Sequence, residues 1–84
     1  MNFNEAYTEK GLIFLKQKYN YYLGRSKGAE EYFKNNNVSK CMEYLDLFNE
    51  VTRELSKLIF IIESVTNEKL DYETKINGFK EVRT

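Results

Sequence analysis

Residues 38–66 read VSKCMEYLDLFNEVTRELSKLIFIIESVT, and the spacing of apolar letters in that stretch decides the fold. With Val38 at heptad position a, the a and d sites are Val38, Cys41, Leu45, Phe48, Thr52, Leu55, Ile59, Ile62 and Thr66. Position g adds Tyr44, Val51, Leu58 and Val65. Three mainly apolar columns in seven predict one long helix with a wide apolar face. A two-stranded coiled coil fills only a and d, so the extra column predicts a helix gripped by at least two neighbours. Neither Pro nor Gly interrupts the stretch, and nothing in its letters predicts a kink.

On the N-terminal side, Asn4 is expected to cap a first helix running to about Leu23, with Glu5 and Glu9 near its positive end and Gly24 as a left-handed stop. Thr8, Leu12, Leu15, Tyr19, Tyr22 and Leu23 fall on one face of it. Tyr7, Phe14 and Tyr21 form a second stripe at spacing seven, about a third of a turn away. One partner helix cannot cover both. Residues 24–28, GRSKG, read as a connection, and Ala29 to Asn35 as a short connecting helix that tucks Tyr32 and Phe33 onto the core. Asn35, Asn36 and Asn37 then break the pattern, with Asn37 or Ser39 capping the long helix.

Beyond Thr66 the letters fit two patterns. Leu70, Tyr72, Thr74 and Ile76 alternate like a strand before the hairpin dipeptide Asn77-Gly78, while Tyr72, Ile76 and Phe79 also fit a helical stripe. An isolated two-stranded hairpin is rarely stable in water, so a short helix or a partly ordered tail is the expectation. The predicted fold is all-α, a small antiparallel bundle of two long helices, a short connecting helix and that tail, in one domain spanning 1–84.

The composition narrows the chemistry. An 84-residue chain buries about two-thirds of its unfolded surface, which leaves a marginal core and favours self-association. Thirteen basic and thirteen acidic residues give no net charge. No stretch approaches the ~20 apolar residues of a membrane span, and Met1 to Lys10 lacks the basic-then-apolar order of a secretory signal, so a soluble, cytoplasmic protein is expected. The single cysteine, Cys41, falls at a d site and is expected to be a small buried thiol. With no His, the commonest general base and metal ligand is missing, and no paired-cysteine or glycine-loop motif replaces it. An enzyme, a cofactor and a small-molecule substrate are not expected. Glu43, Asp46, Glu50 and Glu54 make an acidic ridge whose spacing suits Mg²⁺, but they lie opposite the apolar face beside Lys40, Arg53 and Lys57 and read as a solvated surface.

Two surface features bear on binding. Lys10, Lys16, Lys18, Arg25 and Lys27 occur without an intervening acid between 10 and 28, interleaved with Tyr19, Tyr21 and Tyr22. Bases with stacking rings suit a single-stranded nucleic acid, so Lys16, Lys18, Arg25 and Lys27 define an alternative function as a nucleic-acid-binding regulator. Residues 1–28 carry +3 and the remainder −3, and pairing of the first helix with the long one is the plainer use of that asymmetry. The second feature is the run Leu58-Ile59-Phe60-Ile61-Ile62, which puts Phe60 and Ile61 on the side that faces water. Either the tail folds over them through Leu70, Tyr72, Ile76 and Phe79, or a second chain covers them. The leading expectation is a non-enzymatic protein-binding module, an adaptor, small chaperone or regulator. It would engage another protein or a second copy of itself through Tyr7, Phe14, Tyr21, Phe60 and Ile61.

Overall fold

A computed structural model of the chain describes residues 9–80, in which four helices follow one another: α1 (Glu9–Asn35), α2 (Val38–Glu43), α3 (Leu45–Thr66) and α4 (Tyr72–Asn77). The architecture is the expected all-α one. Leu15 and Tyr19, early in α1, share a core with Leu58 and Ile62, late in α3. At the other end the rings of Tyr32 and Phe33 meet those of Tyr44 and Phe48, so α1 and α3 run antiparallel. The expected cap at Asn4 and the expected binding residue Tyr7 lie outside the described residues.

The expected stop at Gly24 does not occur. α1 is 27 residues long and passes through Gly24 and Gly28, absorbing the segment 29–35 that was expected to be separate. A glycine ends a helix by adopting a left-handed conformation, and among the described residues only Gly78 is a positive-φ glycine. What holds the helix together past Gly28 is tertiary: the Tyr32 ring packs edge-on against Tyr44 at 4.9 Å, and Phe33 against Phe48 at 5.2 Å. Each edge-on ring pair contributes about 0.5–1.5 kcal/mol beyond burial, comparable to the ~1 kcal/mol that a helical glycine costs. The connecting helix is therefore α2, at 38–43.

Three consecutive asparagines make the turn between α1 and α2. Asn35 and Asn36 donate their side-chain amides to the carbonyls of Glu31 (3.0 Å) and Tyr32 (2.8 Å), satisfying acceptors that α1 leaves open at its end. Asn37 accepts from the backbone N–H of Lys40 at 2.9 Å and caps α2, as its side chain predicts.

The unbroken helix expected over 38–66 is instead broken at Tyr44, whose φ of −106° and ψ of 2° leave the helical range. Its N–H turns back to the Cys41 carbonyl at 3.1 Å, a three-residue step, and its ring lies on Tyr32. No breaker residue is needed, because the aromatic contact with α1 sets the bend. A heptad phase counted from Val38 therefore fails: Val38 is 75% exposed and Leu45 46%. Downstream, the buried residues are Val51, Leu58 and Ile62, flanked by half-buried Leu55, Ile59 and Val65. The core face of α3 is thus centred between columns g and d. Cys41 is half-buried, its thiol 3.6 Å from the Phe33 carbonyl and 3.7 Å from that of Asn36.

α3 ends at Asn67, which takes the left-handed conformation (φ 57°) that asparagine tolerates. The Leu70 N–H donates to the Glu63 carboxylate at 2.8 Å, and Asp71 then caps α4 by accepting from the Thr74 N–H at 2.7 Å. The tail is thus the short helix, not a hairpin. Of the expected helical stripe only Phe79 docks, together with Leu70, while Tyr72 is 79% exposed and Ile76 45%. Asn20 clasps Phe79 at both ends, accepting from its N–H at 2.7 Å and donating to its carbonyl at 2.9 Å. Gly78 passes so close that an added Cβ would fall 2.5 Å from Asn20 Oδ1, and its φ of 84° excludes most side chains.

Three outcomes follow from this architecture. Ile62→Ala, at a site with no exposure, lowers the unfolding free energy by about 3 kcal/mol in a urea titration, while Val38→Ala changes it by less than about 0.5. Gly24→Ala with Gly28→Ala raises it by about 1–2 kcal/mol, because neither added methyl meets any atom within 4 Å. Hydrogen bonds from the side chain and backbone of Thr74 hold the Asp71 carboxyl below its ordinary range, assisted by the charge of Lys80 and opposed by partial desolvation. A carboxyl depressed in the folded state stabilises the tail above its unfolded pKa, and that stabilisation disappears as pH falls through the folded value. Amide NMR of residues 72–78 registers undocking below about pH 3.9, and Asp71→Asn, which keeps a cap without the charge, weakens that response.

Candidate partner-binding face

The tail covers one side of α1, through Lys16, Asn20 and Tyr19. The Lys16 ammonium stands 5.3 Å from the centre of the Phe79 ring, and the Tyr19 hydroxyl donates to the Lys75 carbonyl at 2.7 Å. Among the described residues nothing covers the opposite edge of α1, and there an apolar and aromatic face runs along α1 and α3.

It is a chain of shallow hollows that share walls. One of about 210 Å³ is bounded by Ala29, Tyr32 and Phe33 of α1, Tyr44 at the bend and Leu47 and Phe48 of α3. Arg25, Leu47 and Val51 carry it into a second hollow of about 200 Å³ that adds Tyr21, Tyr22 and Glu50. Tyr21 and Tyr22 continue it into a third of about 300 Å³ with Phe14, Gln17 and Lys18. Around the bend, Phe33 also walls a fourth hollow of about 230 Å³ with Val38, Cys41, Met42 and Leu45. Large side chains along the face are substantially open to water, Phe14 at 49%, Tyr21 at 58% and Leu47 at 43%.

Polar groups within it are few and ordered. Arg25 donates to the Tyr21 hydroxyl at 3.1 Å and lies over its ring at 5.8 Å, so its guanidinium is held flat along the helix. The Tyr32 hydroxyl has its pKa raised, first by partial desolvation and then by Tyr44, Glu43 and Cys41, so it stays protonated and able to donate. Glu54 pairs with Lys57 at 3.5 Å, one turn along the same helix.

Of the residues expected to bind a partner, the structure brings Phe14 and Tyr21 together on this face. Ile61 is half-buried and packs against the core, sharing a heptad column with Leu47 on α3. Phe60 lies about 100° further round the helix, 69% exposed and away from the hollows. Of the two covers considered for Phe60, the tail does not form one, since its contacts go to the other side of α1. Tyr32, Tyr44, Leu47 and Phe48 complete the face and were not expected in it: Tyr32, Tyr44 and Phe48 read as core, and Leu47 falls outside the apolar columns. Their sequence signal was present as aromatics at both ends of the 29–48 segment, but it had no geometry while Gly24 was taken as a stop.

The four bases of the nucleic-acid alternative separate into two stripes. Lys18 and Arg25 share a column at spacing seven on the open face, while Lys16 and Lys27 lie on the far side of the helix, about 160° from Lys18. One backbone track cannot meet both stripes. The expected pairing of the basic first helix with α3 is also not made: the two ion pairs present among the described residues, Lys57–Glu54 and Lys80–Glu73, lie within α3 and within the tail region. Among the described residues no group of three or more Asp, Glu, Cys or His is gathered to hold a metal ion, and no helix is long and apolar enough to cross a membrane. No protein family model, curated protein or solved structure matches the chain.

Proposed function

We propose that the chain is a non-enzymatic protein-binding module, an adaptor, small chaperone or regulator, whose partner lies along the open face of α1 and α3. One observation carries this reading: side chains from Phe14 to Tyr44 form a continuous, solvent-open aromatic and aliphatic surface on the helical pair. Exposed aromatic surface of that extent marks interfaces, where Tyr, Phe, Met and Arg are enriched. Helix surfaces of this shape accept another helix through anchors spaced three, four and seven residues apart. A cytoplasmic setting suits the single unpaired Cys41, which reducing conditions preserve.

In this reading Phe14 and Tyr21 bind the partner together with Tyr32, Tyr44 and Leu47, while Ile61, packed against the core, and Phe60 are assigned no part in the face. The expected outcome is specific to position. A photo-crosslinking amino acid at Tyr21 or Leu47 yields discrete protein adducts in cells, and the same group at Glu73, on the tail, yields none. Absence of protein adducts from both face positions overturns the reading.

A further inference from the structure

We infer that the occupant of this face is a second copy of the chain, laid on it with the two copies related by a two-fold axis parallel to α1 and α3. This rests on the binding face proposed above and adds the identity and orientation of the partner. Size is the first argument. The molecule measures 44 × 24 × 23 Å, so one long side offers on the order of 1,000 Å², and a stable interface takes roughly 800 Å² from each partner.

Charge supplies the second. Along the open edge of α1 the column holds Lys18 and Arg25, and no acid occurs between Lys10 and Gly28. The facing edge of α3 holds Glu50 and Glu54. Among the described residues no ion pair joins the two helices, so the asymmetry is unused within the chain. A chain of zero net charge meets no overall repulsion from its own copy.

Symmetry then selects the arrangement. Two surfaces of one kind meet face to face through a two-fold axis in the plane between them. An axis across the helices lays α1 on α1 and brings like charges together. An axis along them lays α1 of each copy on α3 of the other and leaves every residue at its own level. Arg25 and Glu50 line the same hollow and so share a level within one chain. The parallel axis therefore presents Glu50 of the second copy to Arg25, and the reverse pair forms by symmetry. The product is a four-helix bundle in which each helix packs between two neighbours, as the three apolar columns of α3 require.

Sedimentation equilibrium with circular dichroism tests this on the full chain. The parent is a dimer at micromolar concentration. Arg25→Glu and Glu50→Arg, both at exposed positions, each place two like-charge pairs in the interface and weaken the dimer about tenfold or more while leaving the helical signal unchanged. Mixing these two variants restores the dimer, since every pair across that interface is then opposite in sign. A monomeric parent overturns the inference, as does a dimer that either substitution leaves intact or a mixture that fails to associate. A monomeric parent that still gives adducts with other proteins from Tyr21 and Leu47 overturns this inference alone, whereas the loss of all protein adducts overturns the binding face itself.

Discussion

Burying the Tyr19 ring between α1 and α3 leaves its hydroxyl needing an acceptor, and the returning tail supplies it. The residue is 2% exposed, and its hydroxyl donates to Lys75 at 2.7 Å, 56 residues away in the chain. Burial raises its pKa, so the phenol remains a donor throughout the neutral range. Its ring meets Phe79 edge-on, with centres 5.6 Å apart. One side chain thus ties the two long helices and the tail together, and an unsatisfied buried hydroxyl would cost about 1–3 kcal/mol, a large share of what so small a domain has. The Asn20 clasp and the close passage of Gly78 hold the tail at the same place.

The same requirement decides which side of the molecule stays open. A tail that returns over Tyr19, Asn20 and Lys16 cannot also cover Phe14, Tyr21 and Arg25, which lie across the helix. Within the described residues the fully buried apolar set is Leu15, Tyr19, Val51, Leu58 and Ile62. That is a thin core for helices that together place Phe14, Leu47, Tyr44, Leu45 and Met42 in contact with water. The exposed apolar surface is therefore concentrated on the open side and at the end around the α2 bend, with Phe60, Tyr72 and Ile76 exposed apart from it.

Local chemistry was readable where one residue decides the backbone. Asn37 as a cap, the end of α3 near Thr66, the helical face of Leu15, Tyr19, Leu58 and Ile62 and the all-α class needed only periodicity and capping preference. Two features were not readable, and both are tertiary. Whether Gly24 ends a helix depends on what lies beyond it, and there Tyr32 and Phe33 find Tyr44 and Phe48. Whether α3 starts at Val38 or at Leu45 depends on the same contacts, because the Tyr44 backbone bends to bring its ring to Tyr32. A heptad count carries no information about rings on another helix, so the phase set at Val38 fits the core well beyond the bend, at Leu55, Leu58, Ile59 and Ile62, and misplaces Val38 and Leu45 around it. Of the face itself, Phe14 and Tyr21 were legible from their spacing. Leu47 and Tyr32 were not, since their role exists only once α1 is continuous.

The bend end and the tail end consequently differ in how they are held. At the tail end, hydrogen bonds from Tyr19 and Asn20 fix the chain in a single register. At the bend end, ring contacts and the asparagine caps hold α1 against α3 without any buried side chain between Ser26 and Glu50. Contacts of that kind resist opening less, because few apolar atoms leave water when they form. A partner seated across Tyr32, Tyr44 and Leu47 would bury those rings and bind only the closed form, stabilising this end by mass action. Binding and completion of the core would then be one event, because covering the face would supply the burial that the bend end lacks.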